Sequence, residues 1–121
     1  MLEPGRAAEV DHIVADADTA RALGSGDVDV LGTPRALALA EAATVAAVAG
    51  ALPAGQTSVG IRVELDHVVP SPVGSTVRAS AELVEVAGRR LTFEVTLSQD
   101  GHEVGRGRIV RAVVDRARFP A

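Results

Sequence analysis

The chain has 121 residues, 47% of them hydrophobic, and a formal charge of −4, which gives one domain with a core and excludes a disordered chain. Phe93 and Phe119 are its only aromatics, and with no cationic excess the chain offers neither a stacking platform for nucleic acid nor a surface for an anionic membrane. The absence of cysteine removes disulfides, thiolate metal sites and a thiol nucleophile.

The first residues, Met1-Leu-Glu-Pro-Gly-Arg, contain no apolar leader, so a cytoplasmic location is expected. Ala8 to Asp16 reads as a first strand with Val10, Ile13 and Val14. Asp18 to Val30 is acidic and punctuated by glycine, with Gly24-Ser-Gly-Asp27 as a loop. Gly32-Thr33-Pro34 starts a helix, with Thr33 at the N-cap and Pro34 in the first turn. The run from Ala36 onward is apolar on nearly every side to about Gly50, and Leu52-Pro-Ala-Gly55 stops it. It is alanine-rich, carries Glu41 in its middle and falls short of the roughly 20 strongly apolar residues of a membrane span. A helix apolar all round is instead buried in protein.

Ser58 to Val69 alternates, with Val59, Ile61, Val63, Leu65, His67 and Val69 on one face and Gly60, Arg62, Glu64 and Asp66 on the other. Pro70 to Gly74 is a turn. Thr76 to Val86 alternates again, with Val77, Ala79, Ala81 and Leu83 inward. Ala87-Gly88 turns into Arg90 to Ser98, where Leu91, Phe93, Val95 and Leu97 point inward. Asp100-Gly101 is a hairpin signal, and a last strand runs from about Glu103 to Asp115. One long helix over the apolar face of about five mostly antiparallel strands is an α+β layer, a single domain over residues 1–121.

Glu41 is the anomaly in this pattern. A carboxylate inside an apolar helix needs a partner or a use. His67 sits at an inward strand position on the face the helix covers, so imidazole and carboxylate are expected as neighbours, the arrangement of general acid–base chemistry. A core histidine bonded to a backbone carbonyl, and a structural acid at an oligomer interface, are the plainer alternatives. Thr33 serves equally as an N-cap. It lies about 12 Å from Glu41 along a straight helix at 1.5 Å per residue, so a shared site needs a folded-back loop or a second subunit. Gly60, inside a β-branched strand, marks a bulge or a backbone N–H presented to a ligand carbonyl. Gly105 and Gly107 alternate within a strand and read as clearance for packing rather than a phosphate loop. Arg89-Arg90 reads as a solvated turn or an attractor for an anionic tail such as a nucleotide phosphate. His12 and His102 look peripheral, no histidine pair has ligand spacing, and no metal is expected.

The segments Gly32-Thr33-Pro34 with Glu41-Ala-Ala, Ser58-Val59-Gly60, Asp66-His67, Pro72-Val-Gly74-Ser-Thr-Val77 and Gly88-Arg-Arg-Leu-Thr-Phe93 together resemble the hotdog-fold thioesterases of the fluoroacetyl-CoA thioesterase type. The resemblance runs from about Val10 to Phe119. It implies a long helix wrapped by an antiparallel sheet, paired as a homodimer with sites near the subunit interface. It places the catalytic Thr, Glu and His on Thr33, Glu41 and His67. A backbone amide for the thioester carbonyl falls on Gly60, and a substrate-side Arg on Arg111. Coenzyme A enters as part of an acyl-CoA substrate, with no separate cofactor. The aromatic gate of the fluoroacetyl-selective members has no counterpart in Gly26-Asp27-Val-Asp-Val-Leu31, which leaves the acyl group open. A non-catalytic acyl-CoA or small-ligand binding protein on the same scaffold is the alternative.

Overall fold

A computed structural model of the chain describes residues 2–119. Its strands are Ala7–Ile13 (β1), Gln56–His67 (β2), Thr76–Ala87 (β3), Arg90–Gln99 (β4) and His102–Asp115 (β5). They form one antiparallel sheet of five strands in the order β1-β3-β4-β5-β2. A short helix, Ala20–Leu23 (α1), precedes the long helix Thr33–Ala47 (α2), which crosses one face of the sheet. This is the α+β arrangement expected, with β1 ending sooner and α2 ending about three residues sooner than the sequence suggested.

Alanine decides how closely α2 approaches. Ala36, Ala40 and Ala43, at helical spacing, are completely buried, and Leu39 and Ala47 complete the stripe. Opposite them stand Val77, Ala79, Leu83, Leu91, Phe93, Val95, Leu97 and Ile109, all buried. The buried Thr44 hydroxyl donates to the Glu41 carbonyl at 2.6 Å, so it leaves no unpaired group in the core. At the C-terminal end of α2, Arg6 Nε donates to the Ala47 carbonyl at 3.0 Å, a cation where the helix dipole favours one.

Two expectations about faces change. The helix is not enclosed by its own chain: Ala42, Val45 and Ala46 are exposed, and Val45 keeps 49% of its surface. Nor does β2 alternate simply. Gly60 pairs with Arg111 and Arg62 with Val110, so Ile61 is the extra residue of a bulge. Directly opposed residues share a face. Ser58 and Gly60 therefore stand on the helix side with Val63, Leu65 and His67, through their partners Val113, Arg111, Ile109, Gly107 and Gly105. Strict alternation had put Gly60 on the far side.

Gly105 and Gly107 act as the clearance expected of them. A Cβ at Gly105 would lie 2.7 Å from the Asp66 carbonyl oxygen, and one at Gly107 would overlap the Glu64 carbonyl, so β2 could not lie against β5. Among the described residues no strand lies beside the outer edge of β2, and Ile61 and Val63 are exposed.

Phe93 is the largest fully buried side chain. Truncating it (Phe93→Ala) is expected to lower unfolding stability by about 3–5 kcal/mol, measured by urea denaturation. A loss below about 1 kcal/mol, in the range of surface substitutions, would contradict this view of the core.

Candidate active site

The candidate residues fall into two groups. The first joins the start of α2 to the end of β2. Thr33 is the first residue of α2, with Gly32 as its N-cap, and its side chain makes no capping bond. The hydroxyl is spent on the imidazole: Thr33 Oγ1 lies 2.8 Å from His67 Nδ1. The backbone beside Thr33 is held as well, because the Gly32 N–H donates to the Asp18 carbonyl at 2.9 Å. His67 Nε2 is buried and has no hydrogen-bond partner among the described residues. Burial holds the His67 pKa below its ordinary 6.5, so the ring is neutral near pH 7. A neutral imidazole oriented at one nitrogen and unengaged at the other is the form a general base requires. Beside this pair a cleft of about 300 Å³ runs along Ser25, Gly26, Asp27, Val28, Val68 and Val69.

The second group lies where α2 passes the bulge of β2. Arg111 Nη1 donates to Glu41 Oε2 at 3.3 Å, while its Nε donates to Ser58 Oγ at 2.9 Å and its Nη2 to the Ser58 carbonyl at 3.0 Å. Arg111 is 7% exposed. Burial lowers its pKa, and the Glu41 carboxylate opposes that by its charge and its hydrogen bond. The Glu41 side chain keeps 36% of its surface, so it is half-buried rather than sealed in the core. The absent side chain of Gly60 makes room for it, since a Cβ there would stand 2.7 Å from Glu41 Oε2. Carboxylate, guanidinium and the Gly60 backbone are thus neighbours.

The two groups do not meet within one chain. Glu41 lies about 12 Å from Thr33 along α2. Gly60 and His67 are about 20 Å apart along β2 at the usual rise per residue. The expected Glu41–His67 contact is therefore replaced by two contacts, Thr33 with His67 and Glu41 with Arg111. The error came from treating a shared face as proximity: the helix covers that face, but along 15 residues of its length.

Ser58, which anchors Arg111 twice, was not foreseen, because a Ser at a strand start has no pattern of its own. His12 is not peripheral: its Nε2 lies 2.7 Å from Asp18 Oδ2. Arg89 stays exposed, donating from Nη1 to the Val113 carbonyl at 3.3 Å and standing 3.9 Å from Asp115, which favours the reading of a solvated turn.

The profile of the fluoroacetyl-CoA-specific thioesterase family matches residues 14–117. The fluoroacetyl-CoA thioesterase of Streptantibioticus cattleyicolor is 37% identical over 93 residues, which cover 77% of this chain and 67% of that protein. Among solved structures, a Phe-to-Ala variant of the fluoroacetyl-CoA-specific thioesterase FlK in complex with fluoroacetate and CoA superposes with a TM-score of 0.91 at 31% identity, covering 98% of this chain and all of that one. A thioesterase superfamily member of Thermus thermophilus, 24% identical, shares the fold with a TM-score of 0.90 over 98% of this chain and 88% of its own.

A depressed His67 pKa has a signed consequence. The unfolded chain takes up this proton at about pH 6.5, before the folded one does, so the stability tied to neutral His67 is complete above that value and is lost as pH falls toward the folded pKa. The imidazole is expected to titrate below 6.5 by NMR. His67→Gln should flatten the stability loss as pH falls below about 6.5. A midpoint at or above 6.5 would contradict burial as the controlling effect.

Proposed function

The chain belongs to the fluoroacetyl-CoA-specific thioesterase family, and on that premise we propose that its two half-sites, joined across a homodimer, carry the hydrolysis of a small or medium acyl-CoA thioester. The chain is a hotdog-fold thioester hydrolase. The observation that carries the site assignment is the placement of the half-sites. On α2, Thr33 and Glu41 stand symmetrically about Leu37; on β2, with Ile61 looped out of the ladder, Gly60 and His67 stand symmetrically about Glu64. An antiparallel pairing of β2 with its own copy about Glu64 sets Gly60 opposite the partner's His67, both on the helix side. Helix and strand thus point to one two-fold axis. The unpaired edge of β2 and the exposed Ile61, Val63 and Val45 supply the surface such a pairing covers.

In that assembly the acyl group lies in the cleft of Val28, Val68 and Val69. The thioester carbonyl accepts from the Gly60 N–H, which stabilises the oxyanion; losing one such donor costs about 2.7–4 kcal/mol. His67, oriented by Thr33, exchanges protons with the attacking and leaving groups. Glu41, held by Arg111, either takes a proton from water or attacks the carbonyl as nucleophile. With Glu41 as base, water adds to the carbonyl carbon directly; with Glu41 as nucleophile, an anhydride forms that a water molecule then hydrolyses to the free acid and the Glu41 carboxylate. In both routes the C–S bond breaks, the thiol of coenzyme A leaves protonated, and one water is consumed. The segment Gly26 to Leu31 before Thr33 has no aromatic side chain, which leaves the acyl group open. A cytoplasmic location belongs to the same proposal.

Thiol release from a panel of short and medium acyl-CoAs tests the assignment. Glu41→Gln and His67→Gln should each lower kcat by about 10²- to 10⁴-fold on the best substrate. Mixing the two inactive variants, after exchange of subunits, should restore turnover, because each mixed dimer contains one site with both groups intact. Wild-type rates in Glu41→Gln, or no recovery despite demonstrated exchange, would sink the shared-site reading.

A further inference from the structure

Asp18 is a second acid in an enclosed place, outside both half-sites. It is 8% exposed and stands at the end of a short turn, Asp16–Asp18, between β1 and α1. Its carboxylate accepts on both oxygens. Oδ2 takes the Ala15 N–H at 2.8 Å and His12 Nε2 at 2.7 Å; Oδ1 takes Arg35 Nε at 3.0 Å. The Ala15 N–H is the largest cause that brings its pKa down to about 2, against the opposing effect of burial, and His12 and Arg35 add to it. The group is an anion at any working pH, so the His12 nitrogen facing it carries the proton.

The partners of Asp18 converge on one place. Its carbonyl accepts from the Gly32 N–H at 2.9 Å, on one side of Thr33, and its carboxylate holds Arg35, two residues beyond Thr33. Arg35 lies in the first turn of α2, where the helix dipole disfavours a cation. Asp18 supplies the anion that offsets this. Between the two clamps, Pro34 fixes the backbone on the far side of Thr33. Gly32 is packed so closely that a Cβ there would lie 2.9 Å from Leu23 Cδ1. The Thr33 backbone is therefore held by a residue whose hydrogen bonds go to its neighbours and not to the Thr33 hydroxyl, which is bonded to His67.

We propose that Asp18 is a positioning residue for turnover: through Gly32, Arg35 and His12 it fixes the start of α2 so that the Thr33 hydroxyl stays within hydrogen-bonding reach of His67. This rests on the reading of Thr33 and His67 as catalytic. It adds a residue to the machinery at one remove, and links β1 through His12 to a site otherwise built from α2 and β2. Displacement of a catalytic group by about 1 Å can cost about 100-fold, so loss of the clamp should be felt in kcat rather than in substrate binding.

A double-mutant cycle tests it, using kcat and KM on the best acyl-CoA of the panel together with the thermal midpoint of each variant. Asp18→Ala should lower kcat by about 10- to 100-fold with KM within about 2-fold of wild type. Thr33→Ala should lower kcat at least as much. The Asp18→Ala/Thr33→Ala enzyme should be no slower than Thr33→Ala alone within about 2-fold, because Asp18 acts through Thr33. Asp18→Asn, which keeps one oxygen acceptor, should lie between wild type and Asp18→Ala. If Asp18→Ala does not fold, Arg35→Gln breaks the same clamp from the partly exposed side and enters the same cycle. Independent, multiplying effects would overturn the proposal, as would unchanged kcat in Asp18→Ala beside a slowed Thr33→Ala. A fast Thr33→Ala enzyme would remove the catalytic reading itself, and the role of Asp18 with it.

Discussion

The near contact of an alanine-faced helix with a sheet governs the whole molecule. Ala36, Ala40 and Ala43 present almost no side chain to the strands, so α2 settles close to the sheet and its backbone position follows from the strands beneath. A larger residue at any of the three would lift the helix. Both functional pairs are sensitive to that spacing, because each spans helix and strand: Thr33 reaches His67 at one end, and Glu41 reaches Arg111 beyond its middle. The core is thus also the ruler for the chemistry.

Arg111 shows how the second pair is balanced. A nearly buried guanidinium is costly alone, and its one ionic partner among the described residues is a carboxylate that keeps part of its surface in solvent. The two bonds to Ser58 supply the remaining compensation. They also fix the planar fork, so the nitrogen facing Glu41 has one direction to point. Asp18 follows the same logic at the other end of the helix: an enclosed ion with every oxygen engaged, acting on a neighbour rather than on substrate.

Much of the fold was legible because its signals are periodic. The inward rows of β3 and β4 appear as expected, and Thr33-Pro34 marks the helix start to within a residue. The candidate residues were legible as types: a carboxylate in an alanine run and a histidine in an apolar row. Their pairing was not. Period-two reading assigns a face but no distance, and across a bulge it assigns the wrong face to one side, here to Gly60 and the residues before it, which no single residue announces. The exposure of Val45 was equally hidden, since composition records that a side chain avoids water without recording which chain shelters it. Arg111 was reached only through the family resemblance, because an Arg in a strand otherwise reads as surface. The clamp on Thr33 joins His12, Asp18, Gly32 and Arg35, whose separations follow neither helical nor strand periodicity.

The bulge at Ile61 has a consequence for how this strand can vary. Gly60 and His67 are seven positions apart, an odd interval that an unbroken strand would turn to opposite sides of the sheet. The extra residue restores parity and brings both to the helix side. What the segment must preserve is therefore parity more than composition: a residue lost together with the bulge leaves Gly60 and His67 on one side, six positions apart, whereas one lost while the bulge remains reverses every side chain beyond it. A single-residue deletion, the smallest change in length available to a gene, thus keeps the two groups on one side only where the bulge goes with it.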